Sequence, residues 1–137
     1  MHPSSQSSQV PLILVVDDEP LVRKMLTIML QRAGYRIETA VNGQEALDKI
    51  ERLHPNLITL DQMMPDLTGE EVRERMAQDS KMRDIPIIFV SAVVDEVRER
   101  QVNITDADPI RFMGKPFDRD LLLGYVEELL NWKPRPN

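Results

Sequence analysis

LITLDQMMPDLTG, residues 57–69, is the stretch of sequence that decides the fold. It opens with an apolar run of the kind that forms a strand buried on both faces of a sheet. Asp61 ends the run, and Thr68 with Glu71 forms the T-x-x-E signal that begins a helix. In a parallel sheet an acid at this point faces the edge where ligands bind. The alternative is that Asp61 is an ordinary turn or capping residue.

The composition favours one folded domain. The chain has 137 residues, 42% of them hydrophobic, with a net charge of −6 and no cysteine. This charge argues against a phosphate-backbone binder, so we expect no direct contact with nucleic acid. No apolar run approaches the ~20 residues of a membrane span, and the N-terminus lacks a signal peptide. Without cysteine there is no disulfide framework, and we expect a cytoplasmic protein.

Strand and helix patterns alternate five times along the chain. Aliphatic runs predict buried strands at 12–16, 57–60, 86–90 and 110–113, and the alternating segment 36–40 predicts a half-exposed edge strand. Such alternation indicates an α/β fold with a parallel sheet and helices on both of its faces. The helical segments begin near Pro20, Asn42, Gly69, Asp95 and Asp118.

Local signals define the helices and the tails. The apolar stripe of the first helix is predicted at Val22, Met25, Leu26, Met29 and Ala33, and Asn42 with Glu45 predicts a capping box. We expect residues 1–10 to be a flexible N-terminal tail and residues 11–131 to form the domain. Residues 132–137 are expected to be a C-terminal tail or the start of a linker.

Polar groups of particular kinds follow four of the predicted strands. Asp17 and Asp18 follow the first strand, Asp61 the third, Ser91 the fourth and Lys115 the fifth. Because the carboxyl ends of parallel strands share one edge, these groups should converge. Three converging carboxylates repel one another unless a cation lies among them. Oxygen ligands favour a hard ion, so we predict Mg²⁺, with Mn²⁺ as the alternative.

These groups suit phosphoryl transfer. The Asp61 carboxylate can act as a nucleophile and become an aspartyl phosphate. Mg²⁺ and Lys115 would neutralise charge, and the Ser91 hydroxyl could donate to the same group. The chain has no G-x-x-x-x-G-K-[ST] segment to hold a nucleotide, so the phosphoryl group must come from a partner protein or a small donor.

Each of these residues also has a plainer explanation when it is taken alone. Asp17 and Asp18 could simply cap the first helix, and Ser91 could be an ordinary loop residue. Lys115 could be a solvated loop lysine, and Phe112 a core residue. Their joint placement on one predicted sheet edge favours the chemical interpretation.

The segments VVDDE, LDQMMPDLTG, VSA and KPF resemble those of the receiver domain of two-component response regulators, the CheY-like family. The resemblance covers about residues 12–130. It implies a flavodoxin-like sheet with strand order 2-1-3-4-5. By position, Asp61 resembles the phospho-acceptor, Asp18 the direct metal ligand and Asp17 its water-linked neighbour. Met63 would give its main-chain carbonyl to the metal.

The resemblance also implies a switch. Lys115 matches the family's lysine, Ser91 its switch hydroxyl and Phe112 its switch aromatic residue, and the bond before Pro116 is often cis in the family. Phosphorylation would add about −1.5 to −2 charge at Asp61. Lys115 and Ser91 would then move toward the phosphate and Phe112 would turn inward behind Ser91. The face formed by the fourth helix, the fifth strand and the last helix would shift.

The implied partners are a sensor histidine kinase or a histidine phosphotransfer protein as donor, and a downstream protein or effector domain as target. A homodimer is possible in this family, which also catalyses its own phosphorylation and slow dephosphorylation. We therefore interpret the chain as a signalling switch and not as a metabolic enzyme. It would be either a stand-alone receiver or a piece of a longer regulator.

Two departures from the family pattern affect the details. Asp108-Pro109 replaces the usual Gly-Ala pair, which predicts a stiffer loop and a shorter fourth helix. Met63 and Val93, two residues past Asp61 and Ser91, are apolar where the family guides the attacking water. This predicts a long-lived phosphoryl group.

Two other functions remain open. A degenerate receiver would keep the fold as a constitutive protein-binding module without taking phosphate, which the intact set of site residues disfavours. A phosphatase with an aspartyl intermediate usually needs a second acid two residues after its nucleophile. That position is occupied here by Met63.

Overall fold

Five strands and four helices make up the parts of the chain that this computed structural model describes, residues 10–92 and 109–134. The sheet is parallel throughout and has the predicted strand order 2-1-3-4-5, which confirms the flavodoxin-like topology. The helix expected from about Asp95 lies outside the described residues, and the tail boundaries stay predictions. The strands are β1 Leu12–Val16, β2 Arg36–Ala40, β3 Leu57–Asp61, β4 Ile87–Ser91 and β5 Ile110–Gly114, and the helices are α1 Pro20–Arg32, α2 Gly43–Leu53, α3 Gly69–Ala77 and α4 Arg119–Leu130.

The middle of the sheet is covered on both sides. Every residue of β3 and β4 is buried, whereas β2 alternates between exposed and half-buried positions until its last residue. This difference confirms that β2 is a half-exposed edge strand and that the aliphatic runs are buried strands, including β5 at the other edge. Among the described residues, no helix is long and apolar enough to cross a bilayer.

The sheet divides the hydrophobic core into two layers, because successive strand residues point to opposite faces. On one face, side chains such as Ile58 and Phe89 pack with Ile50 of α2 and Met76 of α3. On the other face, Ile13, Val15 and Ile88 pack with Leu26 of α1 and Val126 of α4. The helices thus hold the sheet from both sides and leave its carboxyl edge open to the connecting loops.

The predicted helix caps are largely confirmed. At α3, the Thr68 hydroxyl accepts the N–H of Glu71 at 3.1 Å, and the Glu71 carboxylate accepts the N–H of Thr68 at 2.9 Å. At α2 only half of the box forms. Asn42 Oδ1 accepts the N–H of Glu45 at 2.8 Å, but Glu45 Oε1 accepts from Val41 at 2.9 Å and not from Asn42. Glu45 therefore anchors the chain one residue before the cap.

The apolar stripe of α1 differs from the prediction. Leu26 and Leu30 are the buried residues of this helix, whereas Met25, predicted to face the core, is 44% exposed. Leu21 and Ile28 are exposed as well, at positions four before and three after Met25. Residues at this spacing share one helix face, so α1 carries a second, solvent-facing apolar stripe.

Gly69 allows the close approach of α3 to the end of β3. A Cβ atom at Gly69 would lie 2.8 Å from the Asp61 carbonyl oxygen, 2.9 Å from Gln62 Oε1 and 3.1 Å from Phe89 Cε1. We expect Gly69→Ala to lower the free energy of unfolding by about 1–3 kcal/mol, because the buried neighbours must move. Urea denaturation monitored by circular dichroism would measure this change.

Gly124→Ala is the matched control for this substitution. Gly124 lies exposed in the interior of α4, and a Cβ atom there would meet nothing within 4 Å. Alanine should therefore raise the free energy of unfolding by about 0.5–1 kcal/mol. Two glycine variants that shift stability in the same direction would contradict the close approach at Gly69.

Candidate functional site

The carboxyl ends of the strands bring the predicted site residues to one edge of the sheet. The register pairs Asp61 with Val90 and Ser91 with Gly114, so the residues that end these strands lie side by side. The N–H of Lys115 donates to the carbonyl oxygen of Ser91 at 2.8 Å, which extends this pairing by one residue. The loops that follow these strands therefore start at the same edge of the sheet.

Lys115 reaches the acids at this edge. Its Nζ atom lies 3.0 Å from Asp17 Oδ2, 3.4 Å from Glu19 Oε1 and 3.5 Å from Asp61 Oδ1, and its side chain is 12% exposed. Burial opposes the charged form, but hydrogen bonding and charge from Asp17, with the charges of Asp61 and Glu19, outweigh it and raise the pKa of Lys115. Lys115 is therefore not a solvated loop lysine. The Lys115-Pro116 bond is cis.

Asp17 is buried in the turn between β1 and α1. Its Oδ1 atom accepts the N–H of Glu19 at 2.9 Å, and its carbonyl oxygen accepts from Arg23 Nη1 at 2.8 Å. The cap position of α1 is occupied by Glu19, whose side chain makes no capping hydrogen bond. Asp17 therefore does not cap α1, and its Oδ2 atom faces Lys115 instead.

Asp61 carries a perturbed carboxyl group. Burial, followed by the charge of Asp17 and a hydrogen bond with the Asp18 side chain, raises the pKa of Asp61 to about 7. Lys115 and the N–H of Met63 lower it, but by less. The Asp18 side chain lies close enough to Asp61 to contribute to this pKa shift, so the three predicted acids do converge. Buried carboxyl groups with specific charged neighbours are typical of functional sites.

The residues present fit a divalent cation. Asp17 Oδ2 is buried and, within the described residues, receives no well-directed hydrogen bond, although the Lys115 ammonium lies 3.0 Å away. Asp17, Asp18 and Glu19 each offer a carboxylate oxygen within 4.8 Å of the others. A set of oxygen donors with one incompletely satisfied carboxylate matches the preference of Mg²⁺. Glu19 adds an acid to which the sequence analysis assigned no role.

The backbone of Met63 lies in the turn that follows β3. Its N–H donates to Asp61 Oδ1 at 3.4 Å, and its side chain is 64% exposed. This hydrogen bond keeps the main chain of Met63 next to the Asp61 carboxylate. The role of the Met63 carbonyl as a further oxygen ligand, which the family resemblance implies, stays a prediction.

Ser91 and Phe112 are both buried. Ser91 ends β4 and is 4% exposed. Phe112 is 7% exposed and stacks on Phe89, with ring centroids 4.9 Å apart and ring planes 12° apart. The Phe112 ring thus lies inward in this conformation, and its role as a switch stays a prediction.

Gln62 is a residue of the site that the sequence analysis missed. Its carbonyl oxygen accepts the N–H of Gly69 at 2.9 Å, and its buried Oε1 atom accepts the N–H of Glu70 at 3.1 Å. Gln62 thereby fastens the end of β3 to the first turn of α3. No local pattern signals this role, because a glutamine after an acid is common in loops.

Comparison with known proteins places the chain in a family. Residues 13–127 match the response regulator receiver domain. The DNA-binding dual master transcriptional regulator RpaA of Synechocystis is 32% identical over 121 residues, which cover 88% of this chain and 49% of RpaA. The chain spans about half the length of the first curated relatives that it matches.

Solved structures agree with this match. Chemotaxis protein CheY4 of Vibrio cholerae has a TM-score of 0.73 at 29% identity, covering 88% of this chain and 98% of its own. Response regulator TrrA of Thermotoga maritima, in complex with Mg²⁺-BeF, has a TM-score of 0.73 at 36% identity, covering 88% and 99%. The family match includes all five strands except Leu12, and it includes the acids and the lysine. The chain therefore belongs to the receiver domains of two-component response regulators.

Proposed function

We propose that this chain takes a phosphoryl group onto Asp61 from a phosphohistidine of a sensor histidine kinase or a histidine phosphotransfer protein. The observation that carries this proposal is the position of the Lys115 ammonium, 3.0 Å from Asp17 and 3.5 Å from Asp61. A lysine among buried carboxylates supplies the positive charge that a phosphoryl group needs on arrival.

Asp61 is the proposed nucleophile. One of its carboxylate oxygens forms a bond to phosphorus while the P–N bond of the phosphohistidine breaks, and the imidazole leaves with the bonding electron pair. The carboxyl group must be ionised for this attack, and burial raises its pKa to about 7. Lys115 counteracts this effect and favours the reactive carboxylate.

The metal site is proposed to use the acids at the same edge. Asp18, Asp61 and the Met63 carbonyl would bind the ion directly, and Asp17 would bind it through water. When bound, Mg²⁺ or Mn²⁺ neutralises charge on the carboxylates and on the phosphoryl oxygens. The effect of the nearby Asp18 side chain on the pKa of Asp61 supports this assignment.

Phosphorylation is proposed to change the partners of Lys115 and Ser91. The new group adds about −1.5 to −2 charge at Asp61. It competes with Asp17 and Glu19 for the Lys115 ammonium, and the Ser91 hydroxyl can donate to it. Because the Lys115 N–H is bonded to the Ser91 carbonyl at 2.8 Å, movement of either residue displaces the β4–β5 pair.

The proposed output surface is formed by β5, by α4 and by the helix that the sequence predicts from about Asp95. This face would control a downstream protein or an effector domain, and it could also form a homodimer. RpaA is described as a DNA-binding regulator, and this chain covers 49% of its length. A separate effector domain in the same polypeptide is therefore consistent with the proposal, as is a stand-alone receiver.

Exposed apolar side chains support a protein as the phosphoryl donor. Leu21 of α1 is 69% exposed, Met63 64% and Leu121 of α4 44%. Each lies in a segment that follows a strand at the carboxyl edge, which is the edge that carries the acids. Exposed apolar side chains at one edge suit a contact with another protein. Because histidine kinases act on receivers inside the cell, we propose a cytoplasmic location.

Mass spectrometry of the intact protein tests the proposed reaction. We expect incubation with Mg²⁺ and a small acyl phosphate to add one phosphoryl group, because Asp61 is the acceptor. The adduct should be absent in Asp61→Ala and with excess chelator. It should be present in Asp84→Ala, which removes an exposed acid away from the carboxyl ends of the strands. A wild-type protein that takes phosphate from neither acyl phosphate nor phosphohistidine would be a degenerate receiver. Turnover of many donor equivalents would indicate a phosphatase.

The pKa of Asp61 predicts how stability depends on pH. Because it is raised from 3.8 to about 7, the unfolded chain releases this proton at a lower pH than the folded chain. The stability of the metal-free protein should therefore fall as the pH rises through this interval and then level off. Asp61→Asn resembles the protonated group and should exceed the wild type by on the order of 2–4 kcal/mol at pH 8, and by less than half of that near pH 5.

Urea denaturation with chelator at both pH values measures this effect. Asp84→Asn is the control, since this acid is exposed and its stability difference from the wild type should change little with pH. An Asp61→Asn variant with the same gain at pH 5 and at pH 8 would contradict the raised pKa.

The apolar side chain of Met63 predicts a slow loss of the phosphoryl group. Met63→Asn should shorten the lifetime of the adduct, because a polar side chain at this exposed position can orient an attacking water. The decay of the adduct mass after removal of the donor measures the lifetime. Leu121→Asn changes another exposed apolar residue near the site and should leave the lifetime unchanged. Equal lifetimes in Met63→Asn and the wild type would refute this role of Met63.

A further inference from the structure

Asp66 links two connections that are distant in sequence. Its Oδ1 atom accepts the N–H groups of Gly43 at 2.9 Å and Leu67 at 2.8 Å, and its Oδ2 atom accepts the N–H of Gln44 at 2.8 Å. Burial would raise the pKa of Asp66, but these backbone donors outweigh it and lower that pKa. The tip of the β3–α3 loop is thereby tied to the first turn of α2.

The helix cap alone does not account for this contact. Asn42 already serves as the local cap of α2, since its Oδ1 atom accepts the N–H of Glu45 at 2.8 Å. The N–H groups of Gly43 and Gln44 are the two that remain unpaired in the first turn. Asp66 accepts both of them. It lies 23 residues after Gly43 and 22 residues after Gln44, so these hydrogen bonds are tertiary contacts.

An apolar contact accompanies the polar one. A Cβ atom at Gly43 would lie 2.6 Å from Leu67 Cβ and 3.1 Å from Val72 Cγ2, so only glycine fits beneath the loop. Leu67 is partly buried and packs against the core layer that contains Val72. The bonds of Asp66 and the packing of Leu67 on Gly43 together form a loop clamp.

The loop clamp and Gln62 hold the chain on the two sides of Met63. Gln62 closes the base of the loop through its bonds to Gly69 and Glu70, and Asp66 holds its tip. Between them, Met63 has a mostly exposed side chain and a 3.4 Å hydrogen bond to Asp61. A main-chain carbonyl cannot adjust by side-chain rotation, so its position depends on how the loop is held.

We propose that Asp66 is a positioning residue for the metal ion, because it fixes the loop that holds the Met63 main chain next to the Asp61 carboxylate. This inference rests on the proposed function, which makes the Met63 carbonyl a metal ligand. Residues that hold a ligand in place typically change metal affinity by 10–100-fold when they are replaced. Asp66 itself does not touch the ion, so its effect passes through the loop.

Isothermal titration calorimetry with Mg²⁺ tests this role on folded protein. We expect Asp66→Ala to weaken Mg²⁺ binding by about tenfold, and Asp66→Asn, which keeps one acceptor oxygen, to weaken it less. Asn42→Ala is the matched control, because it removes the local cap from the same helix without releasing the loop. This control should lose stability but keep the wild-type affinity. Amide hydrogen exchange should become faster at residues 63–67 in Asp66→Ala only.

The outcomes separate this inference from the proposed function. A wild-type protein that binds no Mg²⁺ would overturn both, since there would be no ion to position. Wild-type affinity in Asp66→Ala would overturn only the role of Asp66. Equal losses of affinity in Asp66→Ala and Asn42→Ala would show a general effect of helix stability and would also overturn it. If Asp66→Ala does not fold, Asp66→Asn provides the same comparison.

Discussion

The repulsion between buried carboxylates at one sheet edge is the constraint on which the site depends. Asp17 and Asp61 are 1% and 4% exposed, and charges in such surroundings interact far more strongly than in water. Lys115 offsets part of this repulsion from 3.0 Å and 3.5 Å away. Burial, followed by the charge of Asp17, still raises the pKa of Asp61. This edge of the sheet therefore favours added positive charge. An anion newly attached there must change the present balance of charge between the acids and Lys115.

The sheet could be predicted because its signals are local and strong. The bounds of β1 and β2 agree with the sequence patterns, β3 and β5 differ by one residue at one end, and β4 differs by one residue at each end. Long aliphatic runs have few alternatives to a buried strand. The stripe of α1 was less certain, because Met25 and Leu26 are adjacent apolar residues and periodicity alone does not tell which one faces the sheet. The structure buries Leu26 and exposes Met25.

The acids and Lys115 could be located because each lies within two residues of a strand end. Other site residues could not, since their partners are distant backbone groups that no local pattern reveals. Gln62 bonds to a residue eight positions away, and Asp66 bonds across 22 and 23 positions. The orientation of Phe112 was unpredictable for a similar reason, because it depends on stacking against Phe89 of the neighbouring strand.

The contact between Gly43 and Leu67 also limits how this chain can vary in length. Only Val41 and Asn42 separate β2 from α2, and the first residue of α2 lies against the loop that leaves β3. An insertion in this short connection would shift Gly43 and push on a segment that begins beside Asp61. Variation in loop length should therefore be tolerated at the opposite, amino-terminal edge of the sheet, in the connections 33–35, 54–56 and 78–86, which join the described helices to the next strand away from the acids.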